Sequence, residues 1–178
     1  MMVLVQKSSI LLDMQTLIKL LADGLMVPLL LVAMYGLFFR VPGKDRYDRY
    51  TRIFMAGITS YFGAKLLGSI WQPEQLRPFE QLGVDPGAAY LNNPGFPSDH
   101  ALFAAFLTLA VWYGTRHRTL TVVMAVMTVL VCVGRVLALV HTPLDVVGGL
   151  AVAGLGAVWY KTYAKKRLQT HIAKRAKK

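Results

Sequence analysis

The chain has 178 residues, 55% of them hydrophobic, with a mean hydropathy of +0.46 and a formal net charge of +11. Such oiliness joined to such basicity excludes an ordinary soluble domain, and the length allows one domain or one membrane bundle. The basic residues flank apolar runs and line no face, which argues against nucleic acid as a partner; the lone Cys132, inside an apolar segment, reads as a packing residue.

Taken in order, the apolar run Met1–Val5 is too short for a signal-peptide core, and residues 1–13 read as an interfacial or helical lead-in. A first span is predicted over about 15–39. Lys19 and Asp23 share one face near its outer end, placed to pair or to snorkel. A polar loop, Arg40–Arg52, turns at Pro42-Gly43. The second span, about 53–71, carries Lys65, and an intramembrane cation is a functional candidate by default. Residues 72–98 form a loop rich in Pro, Gly, Asn and Gln, of a length that is usually functional or disordered. A third span, about 99–114, is short. A fourth, about 120–140, holds Arg135 in its last two turns, and a fifth covers about 143–163. Gly149, Ala153 and Ala157 form a strip of small residues suited to close packing within one chain or between two, so the oligomeric state stays open. The tail, 164–178, is basic, as a solvated or membrane-surface helix would be.

The expected fold is therefore all-α, a polytopic membrane bundle of about five spans in a single domain over 1–178. With five spans, the cations of Arg40–Arg52, of Arg116 and Arg118, and of the tail all fall on one side. The positive-inside rule puts that side and the C-terminus in the cytoplasm, with the N-terminus outside. Trp112-Tyr113 and Trp159-Tyr160 fit an inner aromatic belt, and Trp71 fits the outer one.

Three polar clusters then share the outer face: Arg77-Pro78, Pro97-Ser98-Asp99-His100, and Arg135 with His141 and Asp145. Ser98 or Asp99 caps one helix start, and Thr142-Pro143-Leu144-Asp145 reads as a capping box at another. Two helix N-termini aimed at one spot make an anion site, to which Arg77 and Arg135 add fork-shaped donors. Asp145 follows His141 by one helical turn, so its carboxylate can orient the imidazole; His100 is free to protonate a leaving oxygen. Taken singly, Asp145 is as well explained by capping and Arg135 by snorkelling; the convergence favours chemistry. His100, His141, Asp99 and Asp145 are all valid zinc ligands, but two arginines beside them argue against a metal. No metal and no cofactor are expected.

These motifs resemble the three-part signature of the type 2 phosphatidic acid phosphatase superfamily, which includes integral membrane lipid phosphatases. The resemblance spans residues 77–145. It implies metal-independent hydrolysis through a phosphohistidine: His141 the nucleophile, His100 the acid, Asp145 the orienter. Arg77, Ser98, Asp99 and Arg135 would bind the phosphate, with Asp99 and His100 contributing backbone amides. Three positions depart from the pattern. The family's usual Lys stands as Ile70, for which Lys65, Gln72 or Gln75 are the nearby substitutes, with Lys65 expected to fall short. The usual Ser before the third-motif Arg is Gly134, and the usual Gly of the second motif is Asp99. An acid at 99 resembles the undecaprenyl-diphosphate phosphatases linked to bacitracin resistance; Asp99 is equally well read as a favourable helix start.

The implied function is hydrolysis of a membrane lipid phosphate or diphosphate, undecaprenyl diphosphate favoured, at a site facing outward from the cell (inner or cytoplasmic) membrane. The alternatives are a phosphatidylglycerophosphate or phosphatidate phosphatase, a lipid phosphotransferase, and a non-catalytic lipid-phosphate binding or transport protein.

Overall fold

The computed structural model describes residues 13–73 and 76–160, and the described residues contain helices and no strands. The elements are α1 (Asp13–Phe39), α2 (Arg46–Ile70), the short α3 (Pro78–Leu82), α4 (Asp99–Thr115), α5 (Arg118–Leu137) and α6 (Pro143–Gly156). The lead-in 1–12 and the basic tail lie outside the described residues, as does the end of the expected fifth span.

Among the described residues, four helical stretches are long and apolar enough to cross a bilayer: Asp13–Phe39, Gly43–Ile70, Arg118–Leu137 and Pro143–Tyr160. The 17-residue α4, expected as a short third span, is the central element, packed against α1, α2, α5 and α6. The bundle is apolar outward: Val27, Phe38, Phe54, Phe62, Ile70, Val129 and Leu155 are all exposed. Its interior holds Ala22, Ala33, Ala64, Ala104 and Ala110 beside buried Arg77, Arg135, His141 and Asp145. Such an arrangement needs an apolar medium around it, since so continuous an exposed apolar surface is foreign to soluble monomers. This is a membrane protein.

Small residues let the helices touch. An added Cβ at Gly149 of α6 would lie 2.5 Å from Ser98 O at the head of α4, so no larger residue fits there. Ala153 and Gly156 continue the buried stripe, in place of the expected Ala157, and it is spent inside the chain against α4 and α2. Across the α4–α5 seam the Thr108 and Thr128 hydroxyls meet at 2.9 Å, each also returning to its own helix's carbonyls.

Two expectations at the basic end are corrected. Helix α2 begins at Arg46, not near 53, so most of the expected Arg40–Arg52 loop is helical. Arg49 is buried and donates to Tyr113 O at 3.2 Å and Gly114 O at 2.7 Å, capping the free carbonyls that end α4. Tyr113 is likewise core, stacked on Tyr160 at 4.3 Å, and takes no place in an interfacial belt. Arg52 Nη1 reaches Trp159 O at 3.1 Å. The start of α2, the end of α4 and the end of α6 therefore meet at one pole of the bundle, and the three polar motifs lie at the other.

Candidate active site

The expected fourth span to 140 stops short. Helix α5 ends at Leu137, and Ala138–Thr142 make a tight connection in which Leu139 takes a left-handed φ of 59°. For a branched residue this is a strained conformation, held only where neighbours over-determine it. Here the 77–98 loop does so by taking three successive carbonyls. Gly87 N–H donates to Ala138 O at 3.0 Å, Phe79 N–H to Leu139 O at 3.0 Å, and Arg77 Nη1 to Val140 O at 2.5 Å. His141 is the next residue, so the loop holds the backbone that presents it.

Helix α6 begins as its sequence predicts. Thr142 Oγ1 accepts the Asp145 N–H at 3.2 Å, and Asp145 Oδ2 accepts the Thr142 N–H at 2.7 Å. The same Oδ2 stands 3.5 Å from His141 Nδ1, which has no other partner. Capping and orienting are thus not rivals: one oxygen faces both groups, which leaves the Nε2 edge of His141 for the cavity. The imidazole is 5% exposed, and this burial pushes its pKa below the ordinary histidine value despite the Asp145 carboxylate, which raises it.

A cavity of about 50 Å³, room for a group of a few heavy atoms, is lined by Arg77, Asp99, His100, Arg135 and His141, with loop residues Asn93 to Gly95 and Pro97 over it. Ser98 and Asp145 stand behind that lining. Ser98 is fully buried; its N–H donates to Asp145 O at 2.9 Å and its hydroxyl caps Ala101 N–H at 3.5 Å, which sets the two helix heads side by side. Arg77 spends Nη1 on Val140 O and Nη2 on Leu91 O, Asn93 O and Asn93 Oδ1 at 2.9 to 3.1 Å. Burial pushes its pKa down, with the Asp145 carboxylate the largest opposing influence. Arg77 Nε and Arg135 Nε are buried without an acceptor.

The acidic partner of Arg135 is one the sequence reading assigned elsewhere. Asp23 does not pair with Lys19; its Oδ1 accepts Arg135 Nη1 at 2.7 Å and lies 3.8 Å from His100 Nε2. The available signal was an acid inside an apolar span, which by default marks a site. Lys65, expected to fall short of the phosphate site, pairs with Asp99: its Nζ lies 3.1 Å from Asp99 Oδ1, and Lys65 itself does not line the cavity. Gln72 is tied instead to Gly68 O and, at 3.0 Å, to Phe96 O; Gln75 lies outside the described residues. The four zinc-type side chains do not assemble: Asp99 turns to Lys65 and Asp145 to His141, and no metal-holding group of three occurs among the described residues.

Fold and site together define a helical membrane protein with a buried, arginine-lined cavity carrying two histidines. A profile described as the PAP2 superfamily matches residues 49–169, more than half of the chain, and the chain belongs to that superfamily, whose members are phosphatases. No curated protein and no solved structure matches it.

Proposed function

We propose that the chain hydrolyses a membrane lipid phosphate or diphosphate through a phosphohistidine on His141. The observation that supports this best is the His141–Asp145 couple facing a small cavity that Arg77, Arg135 and His100 also line. His141 Nε2 attacks the terminal phosphorus, and its bond to the leaving oxygen breaks: the lipid alcohol's oxygen in a monophosphate, the bridging oxygen of the lipid monophosphate in a diphosphate. His100 gives that oxygen its proton, and Asp145 stabilises the positive charge gathering on His141. Water then attacks the phosphohistidine, returns a proton to His100, and releases phosphate and His141. The two arginines, whose Nε groups lack acceptors, and the amides heading α4 stabilise the charge on the transferring group.

The favoured substrate is undecaprenyl diphosphate. The acid at position 99, the point of resemblance to undecaprenyl-diphosphate phosphatases, lines the cavity, and Lys65 at 3.1 Å from its Oδ1 brings a cation that can meet a second phosphate. We place the site on the extracytoplasmic face of the cell membrane, with five spans, the N-terminus outside and the arginine-rich pole inward.

The test is phosphate release by purified protein from undecaprenyl diphosphate, phosphatidate and phosphatidylglycerophosphate, with and without chelator. Release from none of them ends the hydrolase reading, and chelator-sensitive release ends the metal-independent one. Full activity in His141→Ala ends the phosphohistidine mechanism. An Asn92→Cys protein that resists an impermeant thiol reagent added outside overturns the orientation.

A further inference from the structure

Asp23 lies in α1, outside the stretch matched to the superfamily. Yet its carboxylate touches three parts of the site. Oδ1 accepts Arg135 Nη1 at 2.7 Å and lies 3.8 Å from His100 Nε2, while Oδ2 accepts the Ala89 N–H at 2.9 Å. Arg135 Nη1 in turn donates to Ala89 O at 2.8 Å, so Asp23, Arg135 and the loop close a ring of hydrogen bonds. An ionised carboxylate inside a span is expensive unless it is paired, and this one is paired with Arg135 and set near His100, both of which line the cavity.

Two local features place it there. Residues Leu20–Gly24 form a π-helical turn, closed by Leu25 N–H to Leu20 O at 3.0 Å. Such single turns re-aim side chains and recur at functional sites. Against that turn lies Gly134: a Cβ there would stand 2.6 Å from Ala22 N and 2.7 Å from Leu21 C. No side chain fits between α5 and the π turn. The absence of a hydroxyl at 134 and the presence of a carboxylate at 23 are therefore one structural feature: α5 gives up a side chain so that α1 can bring Asp23 against Arg135.

We propose that Asp23 is a positioning residue for the leaving-group step. It faces the Nε2 edge of His100 as Asp145 faces the Nδ1 edge of His141, and it anchors Arg135 with the same oxygen. This rests on the phosphohistidine reading. His100 must hold a proton until the lipid oxygen departs; a carboxylate beside one ring nitrogen fixes the ring and stabilises that proton. When the P–O bond breaks, the proton passes to the leaving oxygen and His100 becomes neutral. The hydrolytic water later returns a proton to it, so nothing is consumed but water.

Leaving-group dependence tests this, because an anchor of Arg135 alone would act on every substrate alike. Wild type, Asp23→Asn and His141→Ala are assayed with a long-chain alkyl phosphate, whose alcohol needs a proton to leave, and with p-nitrophenyl phosphate, whose phenolate does not. Asp23→Asn is expected to lower kcat at least about 30-fold on the alkyl phosphate and less than about threefold on p-nitrophenyl phosphate. Equal losses on both, or no loss on either, overturn the proposal while leaving the hydrolase reading intact. An inactive wild type, or an active His141→Ala, overturns the underlying reading and the proposal with it. Should Asp23→Asn not fold, Gly134→Ala is read in the same way. Its Cβ displaces the π turn with the carboxylate's charge intact, and an equal loss on the two substrates again overturns the proposal.

Discussion

Replacing Asp145 by Asn strikes chemistry and folding together, because one oxygen serves both. Oδ2 lies 2.7 Å from Thr142 N and 3.5 Å from His141 Nδ1. If the new amide puts its NH2 at that position, it faces Nδ1 and turns that nitrogen into an acceptor. The ring proton then moves to Nε2, the atom that must attack, and the histidine is held in the wrong tautomer. The expected loss in kcat is about 10³- to 10⁴-fold, or ~4 to 5.5 kcal/mol at 1.36 kcal/mol per decade. The same orientation removes the capping bond from Thr142 N–H, at about 1 kcal/mol of stability, whereas the opposite one keeps both contacts and loses only the carboxylate's charge. Thr142→Ala is the control. It removes the hydroxyl that accepts Asp145 N–H but leaves the carboxylate beside the histidine, so it should cost about 1 kcal/mol of stability and less than about threefold in kcat. Both are read by phosphate release and thermal unfolding of purified protein in detergent. An Asp145→Asn protein retaining a tenth of wild-type kcat, or a Thr142→Ala protein as inactive as it, refutes the reasoning.

Burial lowers the His141 pKa, and the attacking form is neutral, so the acid limb of kcat/KM should fall below the ordinary 6.5; a limb above it contradicts the assignment. The same sign governs folding. The folded chain binds this proton less readily than the unfolded one, so stability is full above pH 6.5 and declines as the pH drops through the lowered value, which unfolding against pH measures. Lys65→Ala should shift stability by less than about 1 kcal/mol, because the pair with Asp99 is largely exposed. On the proposed reading it strips a cation from the mouth, raising KM roughly three- to tenfold at low salt; Lys65→Ala with Asp99→Asn should recover much of that, as steady-state assays at two ionic strengths will show. Arg49→Ala removes both bonds that cap α4 at the far pole, an expected destabilisation of about 2 to 4 kcal/mol with kcat per folded molecule unchanged, measured by thermal melting beside activity.

What the sequence made legible was local. The capping box at Thr142-Pro143-Leu144-Asp145 and the cap at Ser98 depend on neighbours within four residues, and both stand where the sequence puts them. Apolar run length made the helical bundle legible for the same reason. The errors lie where the outcome depends on a distant partner. For Lys65 the partner is Asp99, 34 positions away in sequence, which helix α2 brings within its reach beside α4. Asp23 had Lys19 one turn away as the obvious partner; its actual partner, Arg135, is 112 positions on and desolvated, and a buried guanidinium needs its carboxylate far more than an exposed lysine does. The polar run Arg40–Arg52 reads locally as a loop, yet Arg49 stands on a polar helix end held helical by what it caps across the bundle. Nothing in the composition of the 77–98 loop announced that its backbone would take the carbonyls of Ala138, Leu139 and Val140.

The charge pattern of the cavity bears on how it would work. Arg135 is paired with Asp23, Lys65 with Asp99, and His141 with Asp145, while Arg77 is spent largely on loop carbonyls. Unpaired cations could not be buried at this depth, so the pairing is what lets the site exist in an apolar medium. It also sets its affinity. On the proposed reading, a phosphate entering here meets cations whose best donors are already engaged, with Asp99 in the cavity wall and Asp23 and Asp145 behind it. Ground-state attraction is therefore moderated. On that reading, the Nε groups of Arg77 and Arg135, buried without acceptors, are the donors left for a group that fits closely. On the proposed reading this is the balance a hydrolase needs. Charge that grows in the transition state meets preorganised donors, and the free phosphate product is not retained by an over-positive cage.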